Sequence, residues 1–224
     1  RGPDGFGIHL SQDTGMIHRR LAVIDLKTGQ QPLSSKGLSL VANAEIYNYL
    51  ELSEIFKKEK FKTKSDCECI LHLYNAYGLN FTKFLRGMYA LAIHDLEKNL
   101  LVLARDPFGI KPLYYLESSE YFSFSSEPRA LIDSGLTIPK INSKKRDELL
   151  QLQFTTGRET IFSGIKRVLP GEILVISRGK IIKRKRTASL PRKKTTNSNE
   201  GSILGKLGDV LEESVNIHQR SDVP

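Results

Sequence analysis

Strand-like segments in this sequence follow one another through turns of only a few residues, and that spacing limits the fold more than any other feature. MYALAIHD (88–95) meets NLLVLARD (99–106) around Glu97-Lys98-Asn99, and PLYYLE (112–117) meets EYFSFSS (120–126) around Ser118-Ser119. EILVIS and GKIIKR make a last hairpin. Parallel neighbours need a crossover of about a dozen residues, so such tight turns favour antiparallel sheets. Gly15 to Asp25 and Leu38 to Asn43 are also short, β-rich and bounded by Gly, Asp or Asn, which predicts two more strands. The helices come as a separate pair. Asn48 to Lys60 carries Leu50, Leu52, Ile55 and Phe56 at helical spacing. A second helix starts at Ser65-Asp66-Cys67-Glu68, a capping pattern with Glu three residues after Ser, and puts Ile70, Leu71, Leu73 and Tyr74 on one face. Pro128 to Ser134 and Ser143 to Phe154 read as short helices. The expected class is α+β, with layered antiparallel sheets rather than βαβ units.

Residues 185–202 combine Lys, Arg, Ser, Thr and Asn without apolar periodicity and read as a basic, polar linker. An amphipathic helix resumes at Ile203 and runs to His218. The chain therefore divides into a domain over 1–184, a linker over 185–202 and a helical segment over 203–224.

Charge follows the same division. The formal net charge is +9, from 34 Lys and Arg against 25 Asp and Glu, and nine of the basic residues lie between Arg178 and Lys194 with no acidic one among them. What remains is balanced. No aromatic is interleaved with that run for base stacking, so it reads as a solvated hairpin and linker; nucleic acid is not an expected partner. A 39% hydrophobic content over 224 residues is enough for a core without staples and excludes collagen-like, disulfide-scaffold and wholly disordered chains. No run of eighteen apolar residues occurs, so no membrane partner is expected. Cys67 and Cys69 stand too close in sequence for an ordinary disulfide, which points to a reducing, cytoplasmic setting. No second Cys or His pair at ligand spacing accompanies them, and no metal site is expected.

Four polar clusters interrupt the apolar segments: His18-Arg19-Arg20, Asn43-Ala44-Glu45, Ser65-Asp66 and Arg105-Asp106. Asn followed by a small residue at a strand end can offer a side-chain NH2 and a main-chain N–H to one oxygen, as an acyl-transfer oxyanion needs. Arg grips a carboxylate through two parallel hydrogen bonds, and Asp accepts from an ammonium. One amino acid held at both ends would satisfy all three. Each residue also has a plainer reading: Arg20 paired with Asp25 or Glu45, Asp66 a carboxylate at a helix start, Asn43 a turn residue, His18 and His94 satisfied strand histidines, and the two cysteines inert.

The stretches RGPDG, HRRLAVID with GQQP, NAEIYN, SDCECI, RGMYALAIHD, ARDPFGIKPLYY, SSE and LPG occur in one order over about residues 1–177. In that order they resemble the class II glutamine amidotransferase domain of asparagine synthetases, and the terminal LEESVNIHQRSDVP is similar to the lead-in to the synthetase domain. The resemblance implies an N-terminal nucleophile hydrolase fold, two antiparallel β-sheets sandwiched between α-helical layers. It implies the glutaminase half of an asparagine synthetase-like protein, hydrolysing glutamine to glutamate and ammonia for ATP-dependent amidation of aspartate. An N-terminal Cys attacks the side-chain amide with its own α-amino group as base. L-Glutamine would be held by Arg20 at its carboxylate and by Asp66 with Glu45 at its ammonium. Asn43 and the backbone of Ala44 would form the oxyanion hole, and the backbone around Leu21, Val23 and Ile24 would line the pocket. Arg105 and Asp106 would brace the sheet. No cofactor is expected in this chain; ATP and Mg are implied only for a synthetase domain, the other expected partner, and a homodimer is left open. Two departures matter. No Cys segment precedes Arg1, so a chain that does not turn over is expected. Position 44 is Ala where the family has Gly, which is harmless at negative φ and strained at positive φ. The alternative reading is a non-catalytic remnant or a module that binds an amino acid or a partner.

Overall fold

The computed structural model describes residues 2–11, 13–190 and 200–223. At its centre is a six-stranded antiparallel sheet in the order β11-β10-β6-β5-β4-β3, from Lys180–Arg186, Glu172–Ser177, Leu100–Arg105, Gly87–Asp95, Leu38–Ile46 and Leu33–Ser35. Its residues alternate between two cores, as the period of a strand requires. Tyr89, Leu91 and Ile93 of β5 pack with α1 (Tyr49–Ile55) and α2 (Glu68–Tyr77) through Leu52, Ile70, Leu71 and Leu73. Ala90 and Ala92, between them, enter a second core with Leu103, Leu174, Leu113 and Tyr115. That core is closed by a three-stranded sheet, β8-β7-β9 (Phe122–Ser125, Tyr114–Glu117, Ile165–Arg167), and by the hairpin β1–β2 (Gly5–Leu10, Gly15–Arg20), which supplies Met16. Helix α3 (Pro128–Asp133) covers the outer side of the smaller sheet through Leu131. Two antiparallel sheets thus lie between helical layers, and the three hairpins expected from the sequence are all present.

Several boundaries differ. The strand expected over Gly15 to Asp25 stops at Arg20. Asp25 has φ 58° and takes the main-chain N–H of Thr28 at 2.8 Å, so a local Asp turn displaces the ladder. The helix expected to reach Lys60 ends at Ile55, because the Lys-rich residues after Phe56 supply no further apolar anchor. Glu68 does not complete a capping box with Ser65. It is 2% exposed and accepts from Lys62 N, Thr63 N and Thr63 Oγ1 at 2.6–2.8 Å, since a carboxylate this buried needs more than one donor. Helix α4 (Ser143–Leu152) ends two residues before Phe154, strand β11 runs to Arg186, across the boundary drawn at 184, and α5 (Glu200–His218) starts three residues before Ile203. Linker residues 191–199 lie outside the described residues. No helix among the described residues is long and apolar enough to cross a membrane.

Candidate functional site

Strand alternation places the site. Met16, His18 and Arg20 share one face of β2; Met16 enters the core between the sheets, and His18 Nε2 meets Ala42 O of β4 at 3.1 Å. On β4, Val41 enters that same core, so Asn43 and Glu45, two and four residues on, face β2 as well. Arg20 thus shares a face with His18 on β2, and Asn43 and Glu45 share a face with Val41 on β4, the faces that point into the space between the sheets; Asn43 is exposed.

Arg20 is 7% exposed, and its Nη2 donates to Ile24 O at 2.8 Å and Asp25 O at 2.7 Å. A Cβ at Gly29 would fall 2.6 Å from that Nη2, so the loop can close over the guanidinium only because position 29 is glycine. Arg20 pairs with neither carboxylate expected on plain reading. Asp25 spends its own on Thr28 and on Lys64 N, at 2.8 Å. Nε and Nη1 of Arg20 have no protein partner among the described residues, so the guanidinium keeps its charge and N–H groups for a ligand.

The Asp25–Lys64 bond also brings the start of α2 to this edge. Asp66, 5% exposed, accepts from Ile46 N at 2.7 Å and so stands next to Glu45. Burial raises the Asp66 pKa, against hydrogen bonds from Ile46, Cys67 and Ser65. Burial pushes Glu45 up to about 7, the charge of Asp66 adds to the rise, and Lys111 opposes it. Two neighbouring carboxylates repel each other when both are ionised, and a cation beside them relieves that.

Ala44 answers the concern about its side chain. It is absent from the residues with positive φ, and its side chain packs into the helix-side core, away from the β2-facing side. Its partner Tyr89 directs its backbone to the other neighbour, taking Asp106 N at 2.8 Å, so the N–H of Ala44 points off the free edge of β4. On that edge the N–H of Ala42 is taken by Gln31 Oε1 at 2.6 Å and that of Ile46 by Asp66. Strand β3 pairs only with Leu38 to Leu40 and does not reach Ala44. Its N–H is left between the two filled positions, beside Asn43.

The backbone of the loop is also committed. Ile24, 8% exposed, gives its carbonyl to Arg20, Val23 O accepts from Asp222 N at 3.0 Å, and the Leu21 side chain is 67% exposed. Sequence reasoning missed Gln31 and Asp222, and named Asp25 only as a partner for Arg20. Gln31 stands in for a strand partner of Ala42, with Nε2 on its carbonyl at 3.0 Å, and its place in GQQP was the one available signal. Arg105 and Asp106 do brace. Arg105 donates to Lys111 O, Val168 O and Gly109 O, and Asp106 collects the N–H groups of Phe108, Ile110 and Lys111. Cys67 and Cys69 are buried, with thiol pKa values pushed up by burial first and then by Asp66. Burial lowers the His18 pKa, the Ala42 contact opposes that, and the Arg20 charge adds to it. His94 bonds His9 at 3.0 Å, and each of His18 and His94 keeps one buried ring nitrogen without a partner among the described residues, where the sequence led one to expect satisfied histidines. Among the described residues no group of three or more His, Cys, Asp or Glu could hold a metal. A groove of about 950 Å³ lies elsewhere, lined by Phe108, Phe154 and Arg167, but Arg105 and Arg167 beside it spend donors on main-chain carbonyls.

Known proteins resemble this chain in sequence and fold. A family described as glutamine amidotransferase domain matches residues 1–187. The glutamine-hydrolyzing asparagine synthetase 1 of Bacillus subtilis (strain 168) is 36% identical over 228 residues, covering 100% of this chain and 36% of that protein. Asparagine synthetase 2 of Oryza sativa subsp. japonica, also glutamine-hydrolyzing, is 46% identical over 138 residues, 59% of this chain and 23% of its own length. This chain thus spans about a third or less of the curated relatives it matches. Among solved structures, the glutamine phosphoribosylpyrophosphate amidotransferase of B. subtilis, complexed with ADP and GMP, superposes with a TM-score of 0.51 at 25% identity, over 70% of this chain and 31% of that one. An allosteric regulatory enzyme of purine biosynthesis shares the fold at 23% identity, with a TM-score of 0.56 over 77% of this chain and 34% of its own. With its family match spanning nearly the whole described domain, the chain belongs to the class II glutamine amidotransferase domain family, in the form found in asparagine synthetases.

Proposed function

We propose that this chain forms the glutamine-holding wall of a glutaminase site. What supports it is a buried arginine on β2 with only Nη2 bound among the described residues, the neighbouring carboxylates of Glu45 and Asp66, and an Ala44 N–H with no partner among the described residues. L-Glutamine fits that polarity. Its α-carboxylate takes an N–H of Arg20 Nη1, with the guanidinium charge behind it, and its α-ammonium enters between Asp66 and Glu45. Binding returns Glu45 to its ionised form, because the ammonium supplies the charge that Lys111 alone does not balance. With both ends fixed, the side-chain amide lies against Asn43 and Ala44. The Asn43 NH2 and the Ala44 N–H donate to the amide oxygen as it gains negative charge.

Attack on the amide carbon needs a thiolate. Burial keeps Cys67 and Cys69 as thiols, and Cys69 Sγ is turned onto Asp66 O at 3.0 Å, so neither serves. The attacking group is an N-terminal cysteine not found in these 224 residues, as the family resemblance implies. Glutamate and ammonia are the products, and we assign the ATP-dependent amidation of aspartate to the larger part of the parent protein. Titration of the 224-residue chain with L-glutamine in a calorimeter tests this. A saturating heat that is absent with D-glutamine, and lost in Arg20→Ala while the circular dichroism spectrum is kept, is expected. No heat with L-glutamine overturns the reading, and steady ammonia release by this chain overturns the account of the thiols.

A further inference from the structure

We infer that Asp222 is a positioning residue for glutamine: the segment after α5 clamps the 21–25 loop in the shape that aims Arg20. The inference rests on the glutamine reading above. Two opposed bonds make the clamp. Asp222 Oδ2 accepts from Asp25 N at 2.7 Å, and Asp222 N donates to Val23 O at 3.0 Å. From the other side, Arg20 Nη2 holds the carbonyls of Ile24 and Asp25. One short loop is therefore gripped from two directions, by the residue that would bind substrate and by a residue 197 positions along the chain.

The loop needs such a grip. Asp25 is held at φ 58°, outside the ordinary backbone preference of an L residue, and all its hydrogen-bonding groups are engaged, its carbonyl also taking Gly29 N. Without the Asp222 carboxylate, Asp25 N loses the partner it has among the described residues, only the main-chain bond to Val23 O remains of the clamp, and the two carbonyls that fix Arg20 can turn away.

The clamp belongs to a strap of its own. Arg220 places its guanidinium on both carboxylate oxygens of Glu51, at 2.9 and 2.8 Å, and also on Tyr47 O. Ile217 is 8% exposed, and the His218 ring lies against Tyr47, tilted by 42° with centroids 4.0 Å apart. Earlier in α5, Ile203, Leu204, Leu207, Val210, Leu211 and Val215 are all at least half exposed. The helix is thus seated chiefly by its last turn and the residues just after it, next to the loop that carries Arg20's anchors.

A ligand that binds only the aimed form has its apparent affinity reduced by the fraction of time the loop holds that form. Calorimetry with L-glutamine on the 224-residue chain and on Asp222→Ala, Asp222→Asn and Arg220→Ala reads this directly. Asp222→Ala and Arg220→Ala should each weaken glutamine at least about tenfold, with thermal unfolding little changed because the strap lies on the surface. Asp222→Asn keeps an oxygen for Asp25 N and should stay within about threefold of the parent. Amide exchange should quicken at 22–25 in Asp222→Ala and stay slow at 43–46. Heat with the parent chain but equal affinity in Asp222→Ala overturns the positioning role alone, as does an Asn variant as weak as the Ala variant. No heat with the parent chain overturns the glutamine reading and this inference together.

Discussion

Two corners of this molecule are built from the same parts and do opposite work. Each has an arginine ending a strand, an aspartate and a backbone turn. At Arg105 every arm of the guanidinium is spent on a carbonyl, and Asp106, fully buried, is ringed by main-chain N–H groups. At Arg20 only Nη2 is spent among the described residues, while the charge of Asp66 adds to the raised pKa of Glu45 and Lys111 opposes it. Saturation separates a brace from a binding site here. Residue type and burial do not, since Arg20 and Arg105 are 7% and 8% exposed.

The largest effect should come from breaking the saturated corner. Arg105→Ala orphans three carbonyls and should lower unfolding free energy by about 3–5 kcal/mol, read from urea denaturation, while the folded fraction keeps its glutamine affinity. Arg20→Ala should reverse that pattern, costing about 1 kcal/mol of stability but about a hundredfold in glutamine affinity by calorimetry. Equal stability losses in the two variants would erase the contrast.

A smaller effect follows from Glu45, whose pKa is raised to about 7 by burial and then by Asp66. In the free chain the folded form keeps a proton that the unfolded form gives up near the usual carboxylate value. Stability from this group is therefore present at low pH and is lost as pH rises towards and through about 7. Glutamine needs the ionised form, so its affinity should rise about tenfold between pH 6 and pH 8, and Glu45→Gln should flatten that slope. An affinity that falls over this range would remove Glu45 from the ammonium site. Smallest of all should be Ala44→Gly, within about twofold in glutamine affinity and costing roughly 0.5–1 kcal/mol of stability, because the alanine has no positive φ to relieve.

Much of the sheet could be read directly. The pairs 88–95 with 99–106 and 112–117 with 120–126 fold locally, and alternation sorts Tyr89, Leu91 and Ile93 from Ala90 and Ala92. The functional clusters were visible as polar interruptions, and strand alternation puts Arg20 on one face with His18, and Asn43 and Glu45 on one face with Val41. Harder to see were outcomes settled by competition for donors. Glu68 has the spacing of a capping residue, yet burial turns it to Lys62 and Thr63. The 21–25 stretch has strand composition, yet the side chain of Asp25 wins its backbone for a turn.

By itself the sequence determined which segments pair, which faces are apolar and which residues carry the charge that a free amino acid requires. Tertiary structure decided which of those charges stay available. Availability depends on what partners arrive from distant parts of the chain: Lys64 N takes the Asp25 carboxylate away from Arg20, Gln31 fills the edge beside Ala44, and Asp222 closes on the loop from the far end of the chain. Local spacing cannot encode such arrivals, because a hydrogen bond is claimed by whichever donor the packed cores bring within 3 Å or so.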